Sequence, residues 1–229
     1  QVVKAVVDAI GGKKKETAKH GGIEVIKSWE AAQRLSDEFN VCLISVPGEY
    51  AAEEALTALK AGKHVMLFSD NVSEEEERRL KEEGTRRGLL VMGPDCGTSI
   101  ISGVPLAFAN DVQKGDVGIV GAAGTGIQEA AVAVERMGGG ISHAIGTGGR
   151  DLHKEIGGIS MKNAIALLEH DPGTKVILVI SKPPAPEVET EIRGILVQLS
   201  KPCSVVFLGD KRQGRVEKVV YSANQTEAA

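Results

Sequence analysis

The sequence predicts an α/β protein built on two parallel sheets, and three observations carry that expectation. Short apolar runs rich in Val and Ile alternate with amphipathic stretches along most of the chain. The connections between them are short and rich in Gly, as crossover units of parallel sheets require. Residues 116–135, DVGIVGAAGTGIQEAAVAVE, then show the unit in full: a buried strand, a turn of small residues and a helix start.

Composition sets the outer limits. The 229 residues are 42% hydrophobic and 25% charged, ordinary for a globular protein of one or two domains. Aromatics are only 3%, so the core must come from Val, Ile, Leu and Ala. A net charge of −4 gives no electrostatic case for a nucleic-acid partner. No apolar run approaches the ~18 residues of a membrane span, and no signal-peptide pattern heads the sequence, so no membrane partner is expected. Cys42, Cys96 and Cys203 form no CxxC pair, which argues against a disulfide framework or a zinc site and for a reducing cytoplasm.

In chain order, residues 1–10 are a short apolar–polar stretch and 11–22 a basic, Gly-bounded segment read as a solvated loop. A phosphate role for Lys13–Lys15 is the lesser reading. Residues 23–26 are a strand candidate, and Ser28 is placed to cap a helix over 29–38. Strands follow at 41–46, 64–68 and 89–92, with helices over 50–61 and from Ser73 to Arg87 between them. Ser73 and Glu76 form a capping-box pattern. The EEEERRLKEE run of that second helix reads as a solvated face. Residues 98–115 show little regular pattern and read as a connector. Beyond it the alternation resumes: strands at 117–120, 141–145, 176–180 and 204–208, helices over 126–137, 161–169 and 187–199. The division expected is 1–97, a connector 98–115, 116–212, and a polar tail 213–229.

Ligands of parallel sheets bind outside the carboxyl ends of the strands. In the second block those ends carry two glycine turns, Gly121-Ala122-Ala123-Gly124-Thr125-Gly126 and Gly146-Thr147-Gly148-Gly149. The first has neither the dinucleotide spacing nor the Walker Lys. It reads as an anion cradle of helix N–H groups or as a packing turn of small residues, and both readings stand at this point. Arg150 and Lys182 follow strands on the same edge and suit the neutralisation of a held anion; salt bridging is the alternative. Asp151 reads as a partner for Arg150 or a cap of the next segment. In the first block the corresponding ends are Pro47-Gly48, Ser69-Asp70-Asn71 and Asp95-Cys96. Asp95 disfavours a Cys96 thiolate, so Cys96 is read as lining a ligand rather than attacking it. His64 and His143 read as structural. No histidine has metal-ligand spacing, and no metal is expected.

Six motifs carry a family resemblance: SVPGEY (45–50), MLFSDN (66–71), MGPDCG (92–97), GAAGTGIQ (121–128), GTGGRD (146–151) and SKPP (181–184). From about residue 23 to 209 the chain resembles the FdrA family. That family is similar to the α subunit of succinyl-CoA synthetase and other ADP-forming acyl-CoA synthetases. The resemblance implies a Rossmann-like CoA-binding domain, N-terminally incomplete here, and then a flavodoxin-like ligase domain, the chain matching the middle section of a longer protein. It implies phosphate at the helix start matching Gly121–Gln128, here Ala122, Ala123, Gly124, Thr125 and Gly126; Gly148, Gly149, Arg150 and Lys182 are expected beside it from their place at the strand ends. It places Ser69, Asp70, Asn71, Asp95 and Cys96 near the CoA thiol, and Pro47 is expected to line the ligand with them from its place at a strand end. It implies an oligomer, with the nucleotide on an ATP-grasp domain of another subunit.

Two departures alter the expected chemistry. The synthetase phosphohistidine loop falls at GDKRQG (209–214), which has no histidine, and Ser181-Lys182 stand where its supporting glutamate would fall. The first glycine turn of a CoA site is also missing, so CoA binding by this chain is expected to be weak. The function implied is that of a synthetase-like subunit holding phosphate or an acyl phosphate without a phosphohistidine. The alternatives are a subunit of an oxamate carbamoyltransferase of ureide breakdown (oxalurate and phosphate giving carbamoyl phosphate and oxamate), or a non-catalytic ligand-binding scaffold.

Overall fold

The computed structural model describes residues 27–34, 39–210, 212–222, 224 and 228. The chain divides into two units, Gln1–Glu38 and Phe39–Ala229. In the first, helix α1 (Trp29–Arg34) begins where the Ser28 hydroxyl accepts from the Ala31 N–H. The expected strand at 23–26, the basic segment with Lys13–Lys15 and the helix end at 35–38 lie outside the described residues.

The second unit opens with β1 (Val41–Ile44), α2 (Gly48–Lys60), β2 (His64–Leu67), α3 (Glu74–Arg87) and β3 (Val91–Met92). Its three strands form a parallel sheet in the order β1-β2-β3. The capping box at Ser73 and Glu76 is formed, and Gly88 ends α3 in the left-handed conformation, which a residue without Cβ adopts at no steric cost.

A second sheet follows, made of β4 (Thr98–Ile101), β5 (Val104–Ala107), β6 (Lys114–Gly121), β7 (Ile141–Gly146), β8 (Val176–Ser181), β9 (Cys203–Phe207), β10 (Gly214–Val216) and β11 (Val219–Tyr221). Helices α4 (Gly124–Arg136), α5 (Ile159–His170) and α6 (Pro186–Leu196) make its crossovers. The strand order is β10-β11-β9-β8-β6-β7-β4-β5. Strands β7, β6, β8, β9 and β11 run parallel; β10, β4 and β5 pair antiparallel at the edges.

Two expectations are corrected here. The stretch 98–115 is not an irregular connector: it folds into the β4–β5 hairpin, which pairs with β7, and β6 starts at Lys114. Its turn, with Ser102 and Gly103 both at positive φ, was masked in the sequence by the lack of an Asn-Gly or Asp-Gly pair. The expected tail 213–229 likewise supplies β10 and β11. Arg193 clasps that end, its guanidinium lying between the Phe207 and Tyr221 rings while bonded to Glu189 and Asp210.

The central strands are apolar on both faces because both faces are covered. Ile119, Leu178, Ile180 and Ala144 pack with Ile127, Ala131 and Val134 of α4. Val120, Ile145, Ile177 and Val179 point the other way, into a cluster shared with Met161, Ile165 and Leu168 of α5 and with Met66 and Met92 of the first sheet. One core thus runs through both sheets.

The acidic–basic run of α3 is corrected as well. Glu77 and Lys81, one helical turn apart, are buried where α3 meets the start of α5 and the loop after β7. Lys81 Nζ donates to Glu77 Oε1 (2.7 Å), Asp151 Oδ1 (2.8 Å) and the Thr147 carbonyl (3.0 Å). Nearby, Ser160 Oγ donates to the Val91 carbonyl, and Asn163 Nδ2 to Thr85 Oγ1. Replacing Lys81 with Ala leaves two carboxylates buried without their shared cation. Urea denaturation should show a loss of about 3–5 kcal/mol.

His64 also has a defined role. Its Nδ1 accepts the Leu90 N–H at 2.9 Å, tying β2 to the start of β3, and this requires the neutral ring. Burial lowers its pKa from 6.5. The unfolded chain therefore takes up this proton first, and the stability His64 supplies is lost as pH falls below 6.5. His64→Asn, which keeps an acceptor in place, should flatten that part of the stability–pH profile measured by denaturant titration.

Candidate functional site

Counted from β6, the order β7-β6-β8-β9-β11 is the flavodoxin-type arrangement 2-1-3-4-5. Its switch point lies between β6 and β8, whose crossovers leave in opposite directions, and a crevice opens outside their carboxyl ends. Residues Gly121–Thr125 close one side of it and Lys182 the other.

Helix α4 begins there without a cap. Ala123 occupies the cap position in extended conformation, has no side-chain acceptor to offer, and the first turn carries no acid. The first intrahelical bond is Ile127 N–H to the Ala123 carbonyl, so the N–H groups of residues 124–126 have no helical acceptor. Aligned peptide dipoles add partial positive charge at this end.

A cavity of about 280 Å³ faces it, lined by Ala122, Ala123, Gly124 and Thr125, by Gly148 and Gly149 of the second glycine turn, and by Lys182, Asp95 and Cys96. Gly148 is required by sterics. Its φ is +90°, and a Cβ there would stand 2.4 Å from the Pro94 carbonyl oxygen. Lys182 is exposed and makes no ion pair among the described residues.

Two expected members do not line this cavity. Gly126 is buried beneath the first turn of α4. Arg150 turns away: its Nη2 lies 2.9 Å from Glu77 Oε2 and donates to the Val72 carbonyl at 2.7 Å. The buried Glu77 carboxylate, hidden in a charge run, is what draws it there. Asp151 adopts the capping alternative, accepting from the Ser160 and Met161 N–H groups of α5, and pairs with Lys81 rather than Arg150.

A second cavity, of about 520 Å³, lies at the ends of β1, β2 and β3. Ser45, Val46, Phe68, Ser69 and Asp70 line it, and it shares Asp95, Gly97 and Phe108 with the first. Pro47 and Asn71 do not line it. Asn71 Nδ2 is bonded to Asp70 Oδ1, and the Ser69 hydroxyl ties the two strand ends together through the Val46 N–H and carbonyl. Asp95 sits in left-handed backbone at φ +56°, exposed between the two cavities. Cys96 lies beneath the glycine turn, 3.4 Å from the Gly146 carbonyl oxygen and 3.5 Å from Ser99 Oγ. Burial pushes its thiol pKa up, which suits a wall and not a nucleophile.

Sequence reasoning missed Thr98, Phe108 and Gln128, which also line the first cavity. Phe108 is 68% exposed and meets Phe68 edge-on, dividing the two spaces. An aromatic in an aromatic-poor chain was the available signal. Gln128, four residues beyond Gly124 on one helix face, holds the Phe108 carbonyl through its Nε2. Among the described residues no three His, Cys, Asp or Glu side chains are grouped to hold a metal, and no helix is long and apolar enough to cross a membrane.

Comparison with known proteins places this geometry in context. A family described as the CoA binding domain matches residues 112–207, which hold β6 to β9 of the larger sheet. The chain is 52% identical over 178 residues to the uncharacterized protein YahF of Escherichia coli, covering 78% of this chain and 35% of that protein. It is 28% identical over its whole length to the α subunit of the ADP-forming succinate–CoA ligase of Aquifex aeolicus, of which it covers 75%. The ATP citrate lyase of Methanothrix soehngenii, solved with citrate and coenzyme A, shares the fold with a TM-score of 0.67. Identity is 19% over 87% of this chain and 35% of that one. The chain thus spans about a third of YahF, carries a segment that matches the CoA-binding domain, and is similar to the α subunits of succinate–CoA ligases.

Proposed function

We propose that this chain is a subunit, or part of one, of an acyl-CoA synthetase of the FdrA type, and that it holds phosphate or an acyl phosphate at the uncapped end of α4 without a phosphohistidine. The observation that carries the reading is the unsatisfied N-terminus of α4 at the switch point of the sheet, facing the unpaired Lys182. An anion there accepts the N–H groups of Gly124 and Thr125 and the Thr125 hydroxyl, with the Lys182 ammonium balancing its charge. The same groups stabilise negative charge that develops on the anion's oxygens during acyl transfer.

The larger cavity fits the thiol-bearing arm of CoA. Val46, Phe68 and Phe108 give it apolar walls, and it opens beside Asp95 onto the anion site. CoA, when bound, supplies the thiol that accepts the acyl group. This chain's own residues would orient that arm along Val46, Phe68 and Phe108. The ends of the smaller sheet and of the larger sheet, both within residues 39–229, would act as the two modules of the site. The nucleotide would come from an ATP-grasp partner subunit in an oligomer, and three free thiols suit the cytoplasm.

A second reading, carbamoyl transfer between oxalurate and phosphate, is favoured by one observation. The Asp95 carboxylate faces the same cleft without a hydrogen-bond partner among the described residues. It is an acceptor suited to a carbamoyl NH2, a donor that simple acyl groups lack. Phosphate-dependent release of oxamate from oxalurate would select this reading; phosphate binding without either activity would leave a binding scaffold.

A side chain at Gly124 starts in ordinary contact, 3.4 Å from Thr98 Oγ1, so Gly124→Glu is compatible with folding while filling the cleft with negative charge. Calorimetric titration with phosphate should show binding abolished in Gly124→Glu. In Thr125→Val it should weaken by about 1–2 kcal/mol, one hydroxyl bond. Equal affinity in folded Gly124→Glu would leave the turn a packing device. No histidine lines either cavity among the described residues. Exposure to radiolabelled acetyl phosphate should therefore leave no acid-labile label on His143, His153 or His170.

A further inference from the structure

We infer that Lys81, which lines neither cavity, is the positioning residue for the second glycine turn and thereby sets anion affinity at the cleft; the inference rests on the anion-holding reading above. The turn offers its ligand no side chain at Gly148 or Gly149, so everything it contributes depends on where its backbone is held. Neither of their N–H groups has a protein acceptor among the described residues. What fixes that backbone is visible on both flanks. Before it, the Thr147 N–H donates to the Gly121 carbonyl and the Thr147 carbonyl accepts from Lys81 Nζ. After it, Asp151 accepts from Lys81 with one oxygen while its carboxylate caps α5.

Lys81 is thus bonded to the residues on either side of the turn, two positions apart from its glycines at most, and its third hydrogen goes to Glu77. Glu77 in turn sits 2.9 Å from the Arg150 guanidinium, which lies inside the same segment. Lys81 and Glu77 are each 1% exposed and Asp151 is fully buried. The two cations and two carboxylates balance, and α3 carries one of each. The cleft in the larger sheet is therefore held in shape by a helix of the smaller one.

Lys81→Met alone leaves the buried Asp151 without a cation and Glu77 with Arg150 only, and can fail to fold. Lys81→Met combined with Glu77→Met removes one charge of each sign, leaves Asp151 on the Ser160 and Met161 N–H groups and Arg150 on the Val72 carbonyl, and keeps the helix face apolar. In that folded double variant phosphate should bind about tenfold more weakly, the scale on which outer partners act on a held ligand site. The amide resonances of Thr147, Gly148 and Gly149 should shift and their hydrogen exchange should quicken. Lys81→Arg, which keeps charge and donors, should recover part of the affinity. Unchanged phosphate affinity in the folded double variant would overturn the inference. If the unaltered protein binds no phosphate, the anion-holding reading fails on its own. The resonances then decide the positioning role: shifted and faster-exchanging amides support it, and amides that stay put with unchanged exchange overturn it.

Discussion

Lys81 spends all three of its ammonium hydrogens on protein oxygens in a place water does not reach. A charge so placed is costly unless every partner is in position, and so are the carboxylates it serves. The consequence is geometric. Helix α3, the loop 147–151 and the start of α5 must come together in one arrangement or leave buried charge uncompensated. Apolar packing between Met66, Met92 and Met161 tolerates small slips; a shared ammonium does not. The joint between the sheets is therefore specified by electrostatics and filled by hydrophobic contact.

That joint explains how two glycine turns from different crossovers meet at one cleft. The turn before α4 is placed by β6, the central strand of its sheet, and by the Ala122 N–H bonded to the Ile180 carbonyl. The turn after β7 is placed from outside its own sheet, by α3 and by the close approach of Gly148 to Pro94. Phe108, brought in by the β4–β5 hairpin, then separates the cleft from the larger cavity. Backbone groups do the facing and side chains do the holding.

Much of this was legible in the sequence because the signals were local. Apolar runs of four to six residues marked the strands, Ser73 with Glu76 marked the start of α3, and the small residues from Gly121 to Gly126 marked a strand–helix turn. The illegible parts depend on contacts distant in sequence. Nothing near Glu77 or Lys81 distinguishes them from the exposed Glu76 or Arg78; apart from each other, their side-chain ion-pair partners and the Thr147 carbonyl lie 66 and more residues away. Arg150 looked like an anion ligand for the same reason: its true acceptor is hidden in α3. The β4–β5 hairpin and the β10–β11 edge were missed because their strands are short and partly polar, and pairing with a neighbour, not propensity, makes them strands.

The cleft has an asymmetry that follows from these placements. The lining combines helix N–H groups and the Lys182 ammonium with the Asp95 carboxylate, held in left-handed backbone that an aspartate adopts only at some cost. A purely anionic ligand would satisfy the N–H groups and the ammonium and be repelled by the carboxylate. A ligand with an anionic end and a donor end would satisfy both. An added Cβ at Gly149 would lie 3.6 Å from Asp95 Oδ2, so the carboxylate borders the glycine turn, and it makes no ion pair among the described residues. On the proposed anion-holding reading, the uncapped helix end would supply general attraction for an anion, and the nearby carboxylate would make that attraction selective for ligands that bring a hydrogen-bond donor of their own.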